Sequence, residues 1–151
     1  MKRLDKIKQI RSKLKAGNPS IGTWQQIPNA SISEILGDAG YDWVAVDLEH
    51  GSMNTSQLPD LFRAIELGET LPLARIAESK PRDCKQALDA GAGGIIAPMI
   101  ESAEKLKMVR NACCWPPVGM RGVGFSRANL FGKHFDEYKK ETTLTELLGK
   151  N

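Results

Sequence analysis

Nowhere in its 151 residues does the chain carry an uninterrupted apolar run long enough to cross a bilayer, so no spanning segment can be read from it. Cysteine is scarce. Cys84, Cys113 and Cys114 are too few and too irregular for a disulfide framework, and Cys113-Cys114 lacks a second Cys/His pair to complete a zinc site. Packing thiols in a reducing cytoplasm are the expectation. A dense basic stripe is also missing: 21 basic and 18 acidic side chains are spread along the chain for a net charge of +3, and phosphate neutralisation needs more than that. Nucleic acid is excluded as the expected partner. No G-x-G-x-x-G follows the first expected strand, since Gly17 and Gly22 do not form one and Gly122-x-Gly124 follows a Pro-rich loop. That disfavours a dinucleotide site.

What is present is a regular alternation. Residues 1–17 read as a basic amphipathic helix with Leu4, Ile7, Ile10 and Leu14 at helical spacing and Gly17 as its stop; a membrane-surface helix is the sharper alternative. Four β-then-α units follow over 20–113. The expected strands are Ser20–Gln26, Trp43–Asp47, Leu71–Ile76 and Gly94–Ile100. The expected helices are Ser31–Ala39, Thr55–Leu67, Pro81–Ala90 and Ser102–Asn111. Strands such as WVAVD and GIIAP are continuously apolar, as in a parallel sheet covered by helices, and glycine closes the helices at Gly40, Gly68 and Gly91. A Gly/Pro loop occupies 114–134 and a tail 135–151, all within one domain. Such alternation supports either an open doubly wound sheet or a (β/α)8 barrel.

Polar residues collect at the carboxyl ends of the expected strands. Gln25 and Gln26 end the first, Asp47, Glu49 and His50 follow the second, Arg75 ends the third, and Pro98 and Glu101 lie near the end of the fourth. Both parallel architectures place their active sites at that mouth, which makes VDLEHG read as part of a site instead of a polar turn. Trp24 and Trp43, inside strand patterns, are expected in the core; His134, without a carboxylate partner nearby in sequence, is expected on the surface. Trp115-Pro116-Pro117 reads as a stiff loop.

Taken together, Leu14-Lys15-Ala16-Gly17, IGTW, SEILGDAGYDWVAVDLEHG, LARI, DAGAGGIIAPMIESAE and PPVGMRGVGFSRA resemble the HpcH/HpaI aldolase family of metal-dependent pyruvate aldolases. The resemblance implies a TIM (β/α)8 barrel and cleavage of 4-hydroxy-2-keto acids to pyruvate and an aldehyde. His50 then corresponds to the general base acting through water, Asp47 to the carboxylate orienting it, and Arg75 to the arginine that binds the pyruvate end and stabilises the enolate. Gln25 and Arg121 are further expected substrate contacts, Arg121 being equally readable as a contact to a neighbouring subunit or as a loop-ordering residue. These roles suit the side chains, because imidazole titrates near neutrality and guanidinium offers paired donors to a carboxylate or oxyanion.

The resemblance also implies a divalent metal, Mg2+ or Mn2+, held by a glutamate of a Q-x-E pattern and an aspartate of a G-P-x-D-L pattern on later strands. Neither pattern occurs in this sequence, so no metal ligand is expected within it. Glu101 is expected at the start of a helix, with Ser102 as the cap. Since a full barrel takes about 250 residues, the expected fold is its N-terminal half, four β-α units preceded by an amphipathic helix. The end of the tail, TTLTELLGKN, is a poor buried strand, and a chain cut short is the expectation. Three accounts remain open: an aldolase half without its metal ligands, a half-enzyme completed by a second copy or a second chain, and a non-catalytic keto-acid-binding or subunit-interaction module.

Overall fold

The computed structural model describes residues 2–143, with side chains described through Lys140. Helix α1 (Lys2–Lys15) leads into β1 (Gly22–Gln25), α2 (Ala30–Asp38), β2 (Trp43–Asp47), α3 (Leu58–Leu67), β3 (Leu71–Arg75), α4 (Pro81–Ala90), β4 (Ile95–Ile96) and α5 (Ala103–Cys113). A short 3-10 turn at Arg127–Asn129 precedes α6 (Phe135–Thr143). The part of the tail after Thr143, including the expected poor strand, lies outside the described residues. All four strands are parallel in the order β1-β2-β3-β4, each joined to the next by a helix.

Strand periodicity sorts the side chains. Val44 and Val46 of β2 face the helices, where they pack with Leu58, Leu61, Phe62 and Ile65 of α3 and with Cys84 and Ala87 of α4. Alternate residues Trp43, Ala45 and Asp47 therefore share the opposite face. A second, smaller cluster of Leu4, Trp115, Ala128 and Tyr138 ties α1 to the segment after α5.

Several elements differ from expectation for identifiable reasons. β4 is two residues long instead of spanning Gly94–Ile100, because Pro98 has no N–H for the ladder and Met99 turns the backbone to φ 52°. Leu14 is exposed, so only the start of α1 is buried. Trp24 is 45% exposed, contrary to the core assignment, because β1 is the edge strand among the described residues; Trp43, at the start of β2, is half-buried. Gly91 adopts the left-handed conformation expected of a helix-closing glycine (φ 110°), but Gly68 does not; Glu69 takes that role at φ 59°. Gly68 serves a close approach instead, since a Cβ there would lie 2.2 Å from the Gly37 carbonyl oxygen on α2. His134 has a carboxylate partner after all: Glu137, one turn on, lies 2.9 Å from its Nδ1.

Candidate active site

Parallel register places the site. Asp47 is paired with Arg75 across β2 and β3, and Gln25 with Val46 across β1 and β2, which sets Gln26 beside Asp47. Three consecutive strands thus deliver Gln26, Asp47 and Arg75 in one row at their carboxyl ends. Beyond Asp47 the chain turns sharply. The Asp47 carboxylate accepts the backbone N–H groups of Glu49 (3.0 Å) and His50 (3.1 Å), and a Cβ at Gly51 would lie 2.3 Å from the Asp47 carbonyl oxygen. Aspartate at the turn's first position and glycine at its end are therefore both required by D-L-E-H-G.

Asp47 is completely buried yet fully satisfied. Arg75 grips it with two bonds, Nε at 2.9 Å and Nη2 at 2.5 Å, and Gln26 donates its amide at 2.8 Å. The paired guanidinium, with the Gln26 amide and two backbone N–H groups, holds the Asp47 carboxyl far below the usual carboxylate range. Arg75 in turn is pushed up by the same contact. Its Nε also lies 3.4 Å from Glu49, and its guanidinium stacks over the Trp24 ring at 4.6 Å. The arginine side chain remains 22% exposed.

The imidazole of His50 is open to solvent, at 64% exposure. Its Nε2 lies 3.9 Å from Glu49. Asp47 reaches His50 through the backbone, accepting its N–H. Gln25 departs from expectation. At 2% exposure its side chain turns away from the mouth, donating to the carbonyls of Ile27 (2.8 Å) and Asn29 (3.1 Å) and accepting from Ser33 (2.8 Å). Strand alternation sends Gln26, not Gln25, to the site. Arg121 does not join the row either: it is 3% exposed, bonded to Asp89 (2.6 Å) and to the Tyr138 hydroxyl (2.9 Å), beside Trp115 of the second cluster. Trp24 is the contributor that the sequence reading placed elsewhere, in the core, while Glu49 and Gln26 were placed at the mouth without a role.

Comparison with known proteins settles the lineage. A profile of the HpcH/HpaI aldolase/citrate lyase family matches residues 20–148. The chain belongs to this family. It is 36% identical over 131 residues to a hydroxypyruvate/pyruvate aldolase of Roseobacter denitrificans, covering 85% of this chain and 51% of that protein. A 4-hydroxy-2-oxo-heptane-1,7-dioate aldolase of Klebsiella pneumoniae is also 36% identical, over 79% of this chain and 45% of its own. Among solved structures, an HpcH/HpaI aldolase/citrate lyase family protein from Burkholderia cenocepacia superposes with a TM-score of 0.80 and 30% identity, covering 89% of this chain and 55% of that one. The chain spans about half the length of the relatives it matches. Its four parallel β/α units are half of a TIM-barrel fold.

The donors present do not fit a resident metal ion. No group of three or more His, Cys, Asp or Glu side chains converges among the described residues. The Asp47 oxygens are taken by Arg75, Gln26 and two backbone N–H groups, while Glu49 lies between Arg75 and His50. No helix among the described residues is long and apolar enough to cross a membrane.

Proposed function

We propose that this chain supplies the keto-acid-binding and proton-handling half of a pyruvate-type aldolase, which splits 4-hydroxy-2-keto acids into pyruvate and an aldehyde. The observation that carries the reading is the Asp47–Arg75 pair: a buried carboxylate orients a partly exposed guanidinium at the carboxyl ends of adjacent parallel strands, beside an accessible imidazole.

In that role Arg75 acts by position. Two of its nitrogens are held by Asp47, which fixes the plane of the fork, and Trp24 supports one face. The remaining edge meets a keto-acid carboxylate and then the enolate oxygen as charge develops on it. His50 takes the proton of the 4-hydroxyl, through one water, as the adjacent carbon–carbon bond breaks and its electron pair passes into the enolate. Glu49 lies 3.9 Å from the Nε2 of His50, beside the proton being moved. A divalent Mg2+ or Mn2+ ion, as the family resemblance implies, supplies carbonyl polarisation when bound. The Q-x-E and G-P-x-D-L patterns that the resemblance implies for its ligands do not occur in this sequence, so in this reading a second half-barrel chain carries them. Three free thiols suit a reducing cytoplasm.

Pyruvate release from a 4-hydroxy-2-keto acid tests the reading, measured for the purified chain alone, with added manganese, and after addition of the C-terminal half of a full-length relative. The expected result is metal-stimulated turnover from the mixture, abolished by His50→Ala and by Arg75→Ala. Turnover that survives Arg75→Ala, or a folded mixture that binds no pyruvate, would overturn it.

A further inference from the structure

The end of β1 reaches the mouth with two side chains. Strand alternation puts Trp24 and Gln26, two residues apart, on the side that meets the Asp47–Arg75 pair, while Gln25 between them is buried on the other side. Trp24 covers the guanidinium and Gln26 binds the carboxylate.

The two oxygens of that carboxylate are held unequally. Oδ1 accepts from Arg75 Nε (2.9 Å) and from the backbone N–H groups of Glu49 (3.0 Å) and His50 (3.1 Å). Oδ2 accepts from Arg75 Nη2 (2.5 Å) and from the Gln26 amide (2.8 Å). Without Gln26, the hold on Oδ2 among the described residues is the arginine alone, the group that this oxygen has to keep in place. A completely buried carboxylate cannot turn to bulk water for a replacement. The kind of donor matters as well. A second cation would compete with Arg75 for the single negative charge and a second carboxylate would repel it, whereas a neutral amide fixes the oxygen and leaves the charge pairing to Arg75.

We propose that Gln26 is a positioning residue for the Arg75 guanidinium, acting through the Oδ2 atom of Asp47 and thereby setting the affinity of the mouth for the carboxylate of a 2-keto acid. What Arg75 binds is taken from the aldolase reading, on which this inference rests. The Gln26 side chain is exposed and makes one hydrogen bond among the described residues, so its replacement should leave the fold intact.

Gln26→Leu and Gln26→Glu test the role in two readouts. The first is nitrogen NMR of the Arg75 guanidinium in the chain alone: loosening of the carboxylate in Gln26→Leu should speed hydrogen exchange at Nε and Nη2 about three- to tenfold. The second is pyruvate affinity of the chain mixed with the C-terminal half of a full-length relative. Gln26→Leu should weaken it about three- to tenfold at every pH. Gln26→Glu should bind nearly as well as wild type at about pH 5, where the introduced carboxyl shares a proton with Asp47, and lose affinity toward about pH 8 as that proton leaves. Asp47, Arg75, Glu49 and His50 are the charged and titratable groups around this position. Because an imidazole changes charge in the same window, each variant is read against wild type at each pH. Unchanged exchange at Arg75 in Gln26→Leu, unchanged pyruvate affinity, or a loss in Gln26→Glu that is the same at every pH would each overturn the proposal. A wild-type mixture that binds no pyruvate counts against the aldolase reading instead, and exchange at Arg75 in the chain alone still decides whether Gln26 positions it.

Discussion

Arginine and carboxylate meet at both ends of the strands, but the two ends bury opposite partners. At the amino ends, beside the carboxyl ends of the helices, the arginines are enclosed. Arg3 donates to the Gly91 (2.8 Å) and Ala128 carbonyls and to Glu66 (3.3 Å), and Arg127 reaches the same Glu66 at 2.5 Å. The carboxylates there, Glu66 and Asp89, are the partly exposed members. At the mouth the carboxylate is sealed and the arginine opens to solvent. A buried guanidinium whose N–H groups end on main-chain carbonyls ties segments together and has little left for a ligand. A sealed carboxylate that aims an accessible guanidinium spends its burial on orientation. The difference separates a clamp that holds α1 against α3 and α4 from a candidate site.

The sharpest way to break this contrast is Glu66→Ala, which leaves Arg3 and Arg127 enclosed without their shared carboxylate. It should destabilise the fold by about 3–5 kcal/mol, the range for removing one partner of a buried pair, as read from urea unfolding. Gly51→Ala comes next. Its Cβ would meet backbone, not a yielding side chain, so about 1–3 kcal/mol is expected by analogy with overpacking, together with displacement of the Asp47 carboxylate detectable by NMR.

Asp47→Asn sharpens the comparison through pH. The folded carboxyl is depressed, so its contribution is complete above the unfolded value, near 4, and is lost as pH falls through the folded one. Unfolding followed from pH 7 to pH 2 should therefore show wild-type stability declining in the acid limb by about 2 kcal/mol more than that of the asparagine variant. His50→Ala should have the smallest effect on the fold. An exposed ring at the mouth is expected to change unfolding free energy by less than about 0.5 kcal/mol while removing turnover in the completed enzyme. A large destabilisation would move His50 from the site to the scaffold.

Much of the scaffold was legible because its signals are local. Continuous apolar strands, helical spacing and Pro81 or Ser102 at a helix start depend on neighbours within a few residues, and the four β-α units follow in the expected order, with β4 cut to two residues. The site was legible in part. Asp47, Arg75 and His50 could be assigned to one mouth because parallel strands end together. Which of Gln25 and Gln26 faces that mouth depends on strand phase, and β1, with four residues at a sheet edge, carries too weak an alternation to reveal it. Arg121 was the hardest to place: its partners Asp89 and Tyr138 lie 32 and 17 residues away, beyond the reach of any local pattern.

By itself, the sequence determined the order of elements, the parallel sheet and the end at which polar residues gather, since each follows from backbone propensity and periodicity. Only the tertiary structure decided which arginine is clamp and which is open. It also decided that Asp47 fixes Arg75 and the His50 backbone, and that Gln26 rather than Gln25 reaches its carboxylate. Those outcomes depend on burial and on distances between residues remote in the chain, which one-dimensional pattern does not encode.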